Sequence, residues 1–336
     1  MHNETVQILG QPLLPPLVNS SGESSLLFDP WYSAVEIVVA VLSVIGNLLV
    51  IVVFYRYQVL RTITNYYVIS LAVADLLVGL VGIPSALFTA VGLPHNFHAC
   101  LFMTSVLMLL CTGSIFSLVG VTIDRFWAIF YPLTYHGGMT HRRALITITV
   151  CWMTASLIGV LPSMGWNSGA PDPPQCLFLE VMDLRYLFFI FVATILIPSM
   201  FMAVVYFLIY RAVRRQVSNP RYQRNGRQLS IRNIRHHVTG GGLQPLTAET
   251  RAAKSLAVIV MLFVVSWIPL YLLNTVMYFL PELAVPERFI KFLIVLSHFN
   301  SCWNPALYAW GMRDFRHCLH KMLSQFHKPR TLIAML

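Results

Sequence analysis

Seven stretches of the chain are each about as long as a bilayer is thick and nearly free of charge. They fall at 32–55, 65–91, 97–129, 143–161, 184–212, 252–280 and 288–310. About 20 mostly apolar residues suffice for a helix to cross the hydrocarbon core. Inside that core each backbone N–H and C=O needs a partner within the segment, so such runs take the helical form. The expected fold is all-α, a seven-transmembrane helix bundle. Composition agrees: 11% of the 336 residues are charged, where a soluble domain carries about 25%.

The separators are short except 211–251, which is basic, contains GGG at 240–242 and has no long apolar run. It reads as a flexible loop. No internal repeat of the kind that builds many transporters is present. Charge then sets the expected orientation. No Lys or Arg precedes Arg56; Arg56, Arg61, Arg142, Arg143, the 211–254 cluster and the tail after Arg313 fall on one side, against Arg185, Arg288 and Lys291 on the other. By the positive-inside rule the amino terminus is expected outside the plasma membrane and the carboxyl terminus in the cytosol. The glycosylation sequons at Asn3 and Asn19 suit an outer tail.

The start MHNETVQ has neither a basic n-region nor an adjacent apolar h-region, so a cleaved signal peptide is not expected and the first span serves as its own signal. The net charge of +10 is thus topological and juxtamembrane, where it favours the anionic lipid bilayer. It offers no folded basic face to nucleic acid. The expected division is an extracellular glycosylated tail at 1–31, the bundle at 32–311, and a cytoplasmic amphipathic helix and tail at 312–336.

Cys100 and Cys176 fall where both face an oxidising compartment, which makes them the natural disulfide pair. Cys111, Cys151 and Cys302 lie within spans and read as packing residues. Cys318 sits in the amphipathic stretch MRDFRHCLHKML, a position suited to palmitoylation.

Within the spans, Glu36 and Asp75 are the acidic residues placed well inside, and His298 is the one histidine of eleven there. Ionisable groups in lipid point to function; the plainer alternative is a bundle-facing group that aids helix packing. The run SHFNSCWNPALY (297–308) is the most polar stretch in any span. At helical spacing Ser297, Ser301, Asn304 and Tyr308 share one face, with Asn300 at its border. Asn47 and Ser114 can join the same layer. A carboxylate at Asp75 among neutral oxygens suits a small hard cation such as sodium, held with Ser114, Asn300 and Asn304. The other possibility is a neutral, protonated Asp75 in a hydrated network. Pro198, Pro269 and Pro305 each free a carbonyl in the preceding turn. Kinked helices around such a layer suit a switch.

Here the residues match a known pattern. Gly46–Asn47, LAVAD ending at Asp75, DRF at 124–126, Trp152, Pro198, Tyr206, SWIPL with Trp267 and Pro269, and NPALY at 304–308 follow one another span by span. In that order the chain resembles the rhodopsin-like (class A) G-protein-coupled receptors. CLF at 100–102 and 176–178, SIFSL at 114–118, GWN at 165–167, AAKSLAVIV at 252–260, Asn274, LSHFNS at 296–301 and the Glu36/His298 pair make it similar to the adenosine receptors within that class.

The resemblance implies a plasma-membrane receptor for adenosine, coupled to a heterotrimeric G protein, with an allosteric sodium ion and no enzymatic activity. It implies that Asn274 pairs with the adenine edge, that Phe178 stacks on the purine, and that Ser297 and His298 meet ribose hydroxyls. Glu36 would orient the imidazole, and Leu107, Met108, Trp267 and Leu270 would form the apolar wall. It further implies a switch in which Arg125 pairs with Asp124 and with Glu249, then repacks with Tyr206 and Tyr308. Three departures stand out: Tyr271 where these receptors usually carry histidine or serine, Cys111 and Thr112 low in the pocket, and Phe126 for the usual tyrosine.

Three further readings remain. One is a class A receptor for a different purine or small ligand. Another is a transporter with a proton or cation path through Asp75 and Glu36/His298. The third is an intramembrane enzyme, for which Ser297 and His298 are poorly placed, since adjacent helical residues point 100° apart. In the basic loop, Ser230 after Arg227 reads as a phosphorylation position.

Overall fold

A computed structural model describes residues 29–131, 134, 135, 138–217, 244–280 and 282–327, without the side chains of 213, 215–217, 244–256, 326 and 327. Asp29 starts the first helix, α1 (Pro30–Arg56): its carboxylate accepts from Trp31 N at 3.0 Å and Tyr32 N at 3.2 Å, with Pro30 in the first turn. The Tyr32 N–H, then the Lys291 charge and the Trp31 N–H, hold the Asp29 carboxyl below the usual carboxylate range.

The second helix, α2, runs from Ile63 to Ala90 and contains a π-helical segment at Val78–Gly82. α3 (Phe97–Phe130) is capped by Asn96, which accepts from Ala99 N at 3.0 Å. α4 (His141–Val160) is capped by Thr140. α5 begins as Leu184–Ile190, passes through a second π-helical segment at Phe191–Leu196 and ends as Ile197–Val217. α6 (Gln244–Phe279) and α7 (Glu287–Gly311) carry Pro269 and Pro305 within them. α8 (Arg313–His327) follows. No strand occurs among the described residues.

Helices α1 to α6 each contain a stretch long and apolar enough to cross a membrane. α7 has 25 residues, enough for the same span, but holds Ser297, His298, Asn300, Ser301 and Asn304. All five are buried. Their polarity faces protein rather than lipid, which is how a helix of mixed composition belongs in a bilayer. The large apolar side chains left exposed on α1, α4 and α5, among them Ile45, Val150 and Phe207, form the opposite, lipid-facing surface.

α3 is the axle of the bundle, buried along most of its length, and α4 lies at the margin. Two close approaches fix the packing. A Cβ at Gly159 of α4 would stand 2.7 Å from the Leu109 backbone of α3, and one at Gly46 of α1 would stand 2.9 Å from the Pro305 ring of α7. Small residues at such crossings let helices meet where lipid gives no hydrophobic drive between them.

α8 is amphipathic. Its apolar face packs on the bundle through Phe315, whose ring lies 5.5 Å from Phe54 and 6.5 Å from Tyr308. Cys318 belongs to that face and is buried with Phe315 and Met322. Asn3, Asn19 and Ser230 lie outside the described residues, and so does the side chain of Glu249.

Candidate functional site

The disulfide between Cys100, at the start of α3, and Cys176 carries the 161–183 connection back over one end of the bundle. Cys176 N also donates to Gly92 O at 2.9 Å. Two residues later the chain makes a helical turn at Phe178–Val181, which sets Phe178 above the space between the helices. That space is a cavity of about 570 Å³. Its wall includes Phe178, Leu107 and Met108 of α3, Trp267, Leu270, Tyr271 and Asn274 of α6, and Ser297 and His298 of α7. The expected ligand-binding residues thus converge on one cavity, with Glu36 directly behind it.

Glu36 of α1 is wholly buried, and both of its oxygens lie against His298 Nδ1, at 2.9 and 3.0 Å. A carboxylate on Nδ1 favours the imidazole with its proton there, leaving Nε2 to accept. Ser297 Oγ donates to Ile294 O at 2.7 Å, within its own helix. Its hydroxyl therefore offers lone pairs rather than a proton. Tyr271 stacks on Phe191 at 6.2 Å and tilts against Trp267 at 5.9 Å. Trp267 Nε1 is buried without a hydrogen-bond partner.

Below Trp267 lies a second polar layer. Asp75 Oδ1 accepts from Ser114 Oγ at 2.8 Å and Ser301 Oγ at 2.9 Å, and Oδ2 accepts from Asn304 Nδ2 at 2.6 Å. Asn47 Nδ2 donates to the carbonyls of Ser43 and Ser301, both at 2.9 Å. Helices α1, α2, α3 and α7 meet through these bonds. Asn300 is buried on α7 but stands outside the set bonded to Asp75. Asn47 Oδ1 and Tyr308 Oη are buried without partners at the edge of the layer.

At the far end of α3, Arg125 donates to Asp124 Oδ2 from Nη2 at 2.7 Å and from Nε at 3.1 Å. The same carboxylate accepts from Thr64 Oγ1 at 2.7 Å and Tyr135 Oη at 2.8 Å. Asp124 is completely buried, and four donor atoms surround it. Tyr206 and Tyr308 are buried in the adjoining core.

The cavity also takes in residues not expected from the sequence: Tyr32, Thr89, Glu180, Met277, Ile290 and Lys291 among them. Their positions depend on the rotation of α1 and α7 and on the path of the loop. One signal was available for Lys291: it lies seven residues before His298 and so shares its helical face.

The sequence profile described as 7 transmembrane receptor (rhodopsin family) matches residues 46–308. The chain is 37% identical to the adenosine receptor A2a of Equus caballus over 87% of its own length and 72% of that protein. It is 37% identical to the adenosine receptor A2b of Gallus gallus, covering 88% of each. Over 87% of its length it is likewise 37% identical to the adenosine receptor A2a of Homo sapiens, spanning 72% of that protein.

Proposed function

The chain belongs to the rhodopsin family of seven-transmembrane receptors, on its adenosine-receptor branch, and from that premise we propose that it is a plasma-membrane receptor for adenosine that activates a heterotrimeric G protein. The amino terminus and the cavity mouth face outward, and the Asp124–Arg125 end faces the cytosol. The observation that carries the reading is the convergence of Asn274, Phe178 and the Glu36–His298 pair on one cavity.

The chemistry of each group fits a purine nucleoside. An asparagine amide meets the N7 acceptor and N6 donor of adenine together, a pairing worth about 1–3 kcal/mol of discrimination where bases are read in DNA. Phe178 supplies a face for the base, and stacking of this kind contributes roughly 1–3 kcal/mol. His298 Nε2 accepts from a ribose hydroxyl, and Ser297 Oγ accepts from another. Replacing Asn274 by Ala removes the adenine clamp from the cavity wall. We expect adenosine binding to fall at least tenfold while surface expression is kept. Unchanged affinity in that variant would contradict the purine reading.

The switch is conformational. Trp267 forms the cavity floor two residues before Pro269, where α6 lacks a backbone hydrogen bond. Ligand drawn toward Ser297 and His298 biases that kink, moves the inner part of α6 and frees Arg125, Tyr206 and Tyr308 to repack around the G protein. A ligand shifts such an equilibrium only by its differential affinity, so a hundredfold preference supplies about 2.7 kcal/mol.

Asp75 bears on the same switch. It is a fully buried carboxylate ringed by two hydroxyls and an amide, with orphaned polar atoms of Asn47 and Tyr308 at the edge of the layer. This donor set fits a small hard cation. Asp75, Ser114 and Ser301 would hold sodium, with Asn304 positioning the carboxylate. The ion supplies the positive charge that the layer otherwise lacks. The transporter alternative is not favoured, since the family consists of receptors.

A further inference from the structure

α4 lies at the margin of the bundle, and its outward face carries a hollow of about 420 Å³ lined by Arg142, Leu145, Ile146, Thr149 and Val150. That volume falls in the range of small-molecule sites, about 300–1,000 Å³. The five residues recur at helical spacing and so occupy one face. All are exposed, and Met153 and Leu157 continue the face toward the other end of α4. One end of the hollow is cationic and its wall is otherwise almost wholly apolar. The cation is uncommitted. Its neighbour Arg143 donates to Gly138 O, His141 lies edge-on to the Tyr66 ring at 5.2 Å, and Arg125 is bound to Asp124. Arg142 has no ion pair or side-chain hydrogen bond with any described residue. The first turn of α4 holds no acidic residue, so the positive end of the helix dipole adds to the guanidinium.

We propose that this hollow is a binding site for one anionic glycerophospholipid, with the phosphate at Arg142 and an acyl chain along Leu145, Ile146 and Val150. Three features select this occupant. From Arg142 to Val150 the helix rises about 12 Å, close to the ~15 Å depth of one leaflet, so headgroup and chain fit without crossing the midplane. A guanidinium offers parallel N–H donors, the geometry that a phosphate accepts. With the start of α4 on the cytosolic side, as proposed above, the hollow opens into the leaflet that holds the anionic lipids. A second copy of the chain is a poorer occupant: a two-fold contact through this face sets Arg142 against Arg142, and like charges repel. The site is separate from the purine cavity and does not depend on what binds there.

The test carries a photoreactive side chain in the hollow, Ile146→benzoylphenylalanine, in the full chain, reconstituted in nanodiscs of phosphatidylcholine with phosphatidylserine as the minor component. Mass spectrometry reads which molecule is captured. Both leaflets of such a disc hold the same lipids, so the result is independent of which way the chain faces. Phosphatidylserine should be captured about fivefold above its share of the bilayer, the order expected of one cation beside an anionic headgroup. The excess should shrink as salt is raised. Adding Arg142→Gln should bring capture down to the bulk share, whereas Arg142→Lys should keep most of the excess. Arg316→Gln, on the exposed face of α8, removes the same charge elsewhere and should leave the excess unchanged.

Capture at the bulk share with Arg142 in place, or an excess that survives Arg142→Gln, would overturn the proposal. Two further results would overturn it in other ways. Loss of the excess on adding free glycerol phosphate would make the hollow a plain anion site, and capture of a second copy of the chain would make the face a self-interface.

Discussion

Glu36 and His298 come from the first and last spans, 262 positions apart, and meet in a fully buried contact. A hydrogen bond to a charged group contributes roughly 1.5–3 kcal/mol, and here it also sets which imidazole nitrogen faces the ligand. Glu36→Gln weakens that orientation while keeping the volume. Its effect should be confined to the sugar: adenosine affinity is expected to fall about tenfold or more on that energy scale, and adenine, which has no ribose, should bind as before. Competition binding with the two probes separates the cases, and an equal loss for both would remove His298 from the sugar site. At this scale the chemistry-bearing residues were readable in the sequence because polar groups in lipid are so few. Tyr32, Glu180 and Lys291 were not, because whether they border the cavity depends on loop path and helix rotation. Ser297, expected to meet a ribose hydroxyl, does line the cavity, yet its proton goes to Ile294 O, a local choice that helical spacing does not reveal.

The helices show how far hydropathy reaches. Expected spans and observed helices agree within two residues wherever both ends lie near lipid, as at α1, α3, α4 and α7. They part at the end bearing the long basic loop, where α5 continues to Val217 and α6 begins at Gln244. Helix that projects beyond the bilayer is polar, so an apolar window stops before it does. The π-helical segments in α2 and α5 were likewise invisible, since each is a local change of hydrogen-bond register that leaves composition intact. The α3–α4 contact provides a test at this scale. Gly159→Val forces a side chain into the Leu109 backbone, and overpacking of this kind costs typically 1–3 kcal/mol. The midpoint of thermal unfolding in detergent should drop by several degrees, whereas Leu157→Val on the lipid-facing side of the same helix should leave it nearly unchanged. Equal midpoints for the two variants would mean that α4 can shift without penalty.

Over the whole molecule, the outer cavity, the Asp75 layer and the Asp124–Arg125 cluster lie in series along α3, which packs against α2, α4, α5 and α6. Series placement makes coupling natural: the sodium proposed at Asp75 and an agonist above Trp267 would draw on one equilibrium, and linkage would make their antagonism reciprocal. Exchanging sodium for a bulky organic cation should strengthen agonist binding several-fold, and Asp75→Asn should abolish that sensitivity; a variant that stays sensitive would discard the sodium site. The central claim is that occupancy of the outer cavity shifts the bundle toward a form that engages a G protein. The most direct measurement is nucleotide exchange on a panel of purified heterotrimeric G proteins by the reconstituted full chain, comparing adenosine, inosine and adenine. The account predicts that adenosine accelerates exchange on at least one of them and that Asn274→Ala removes the acceleration. Exchange unaffected by adenosine on every G protein, from a chain shown to bind it, would contradict the account.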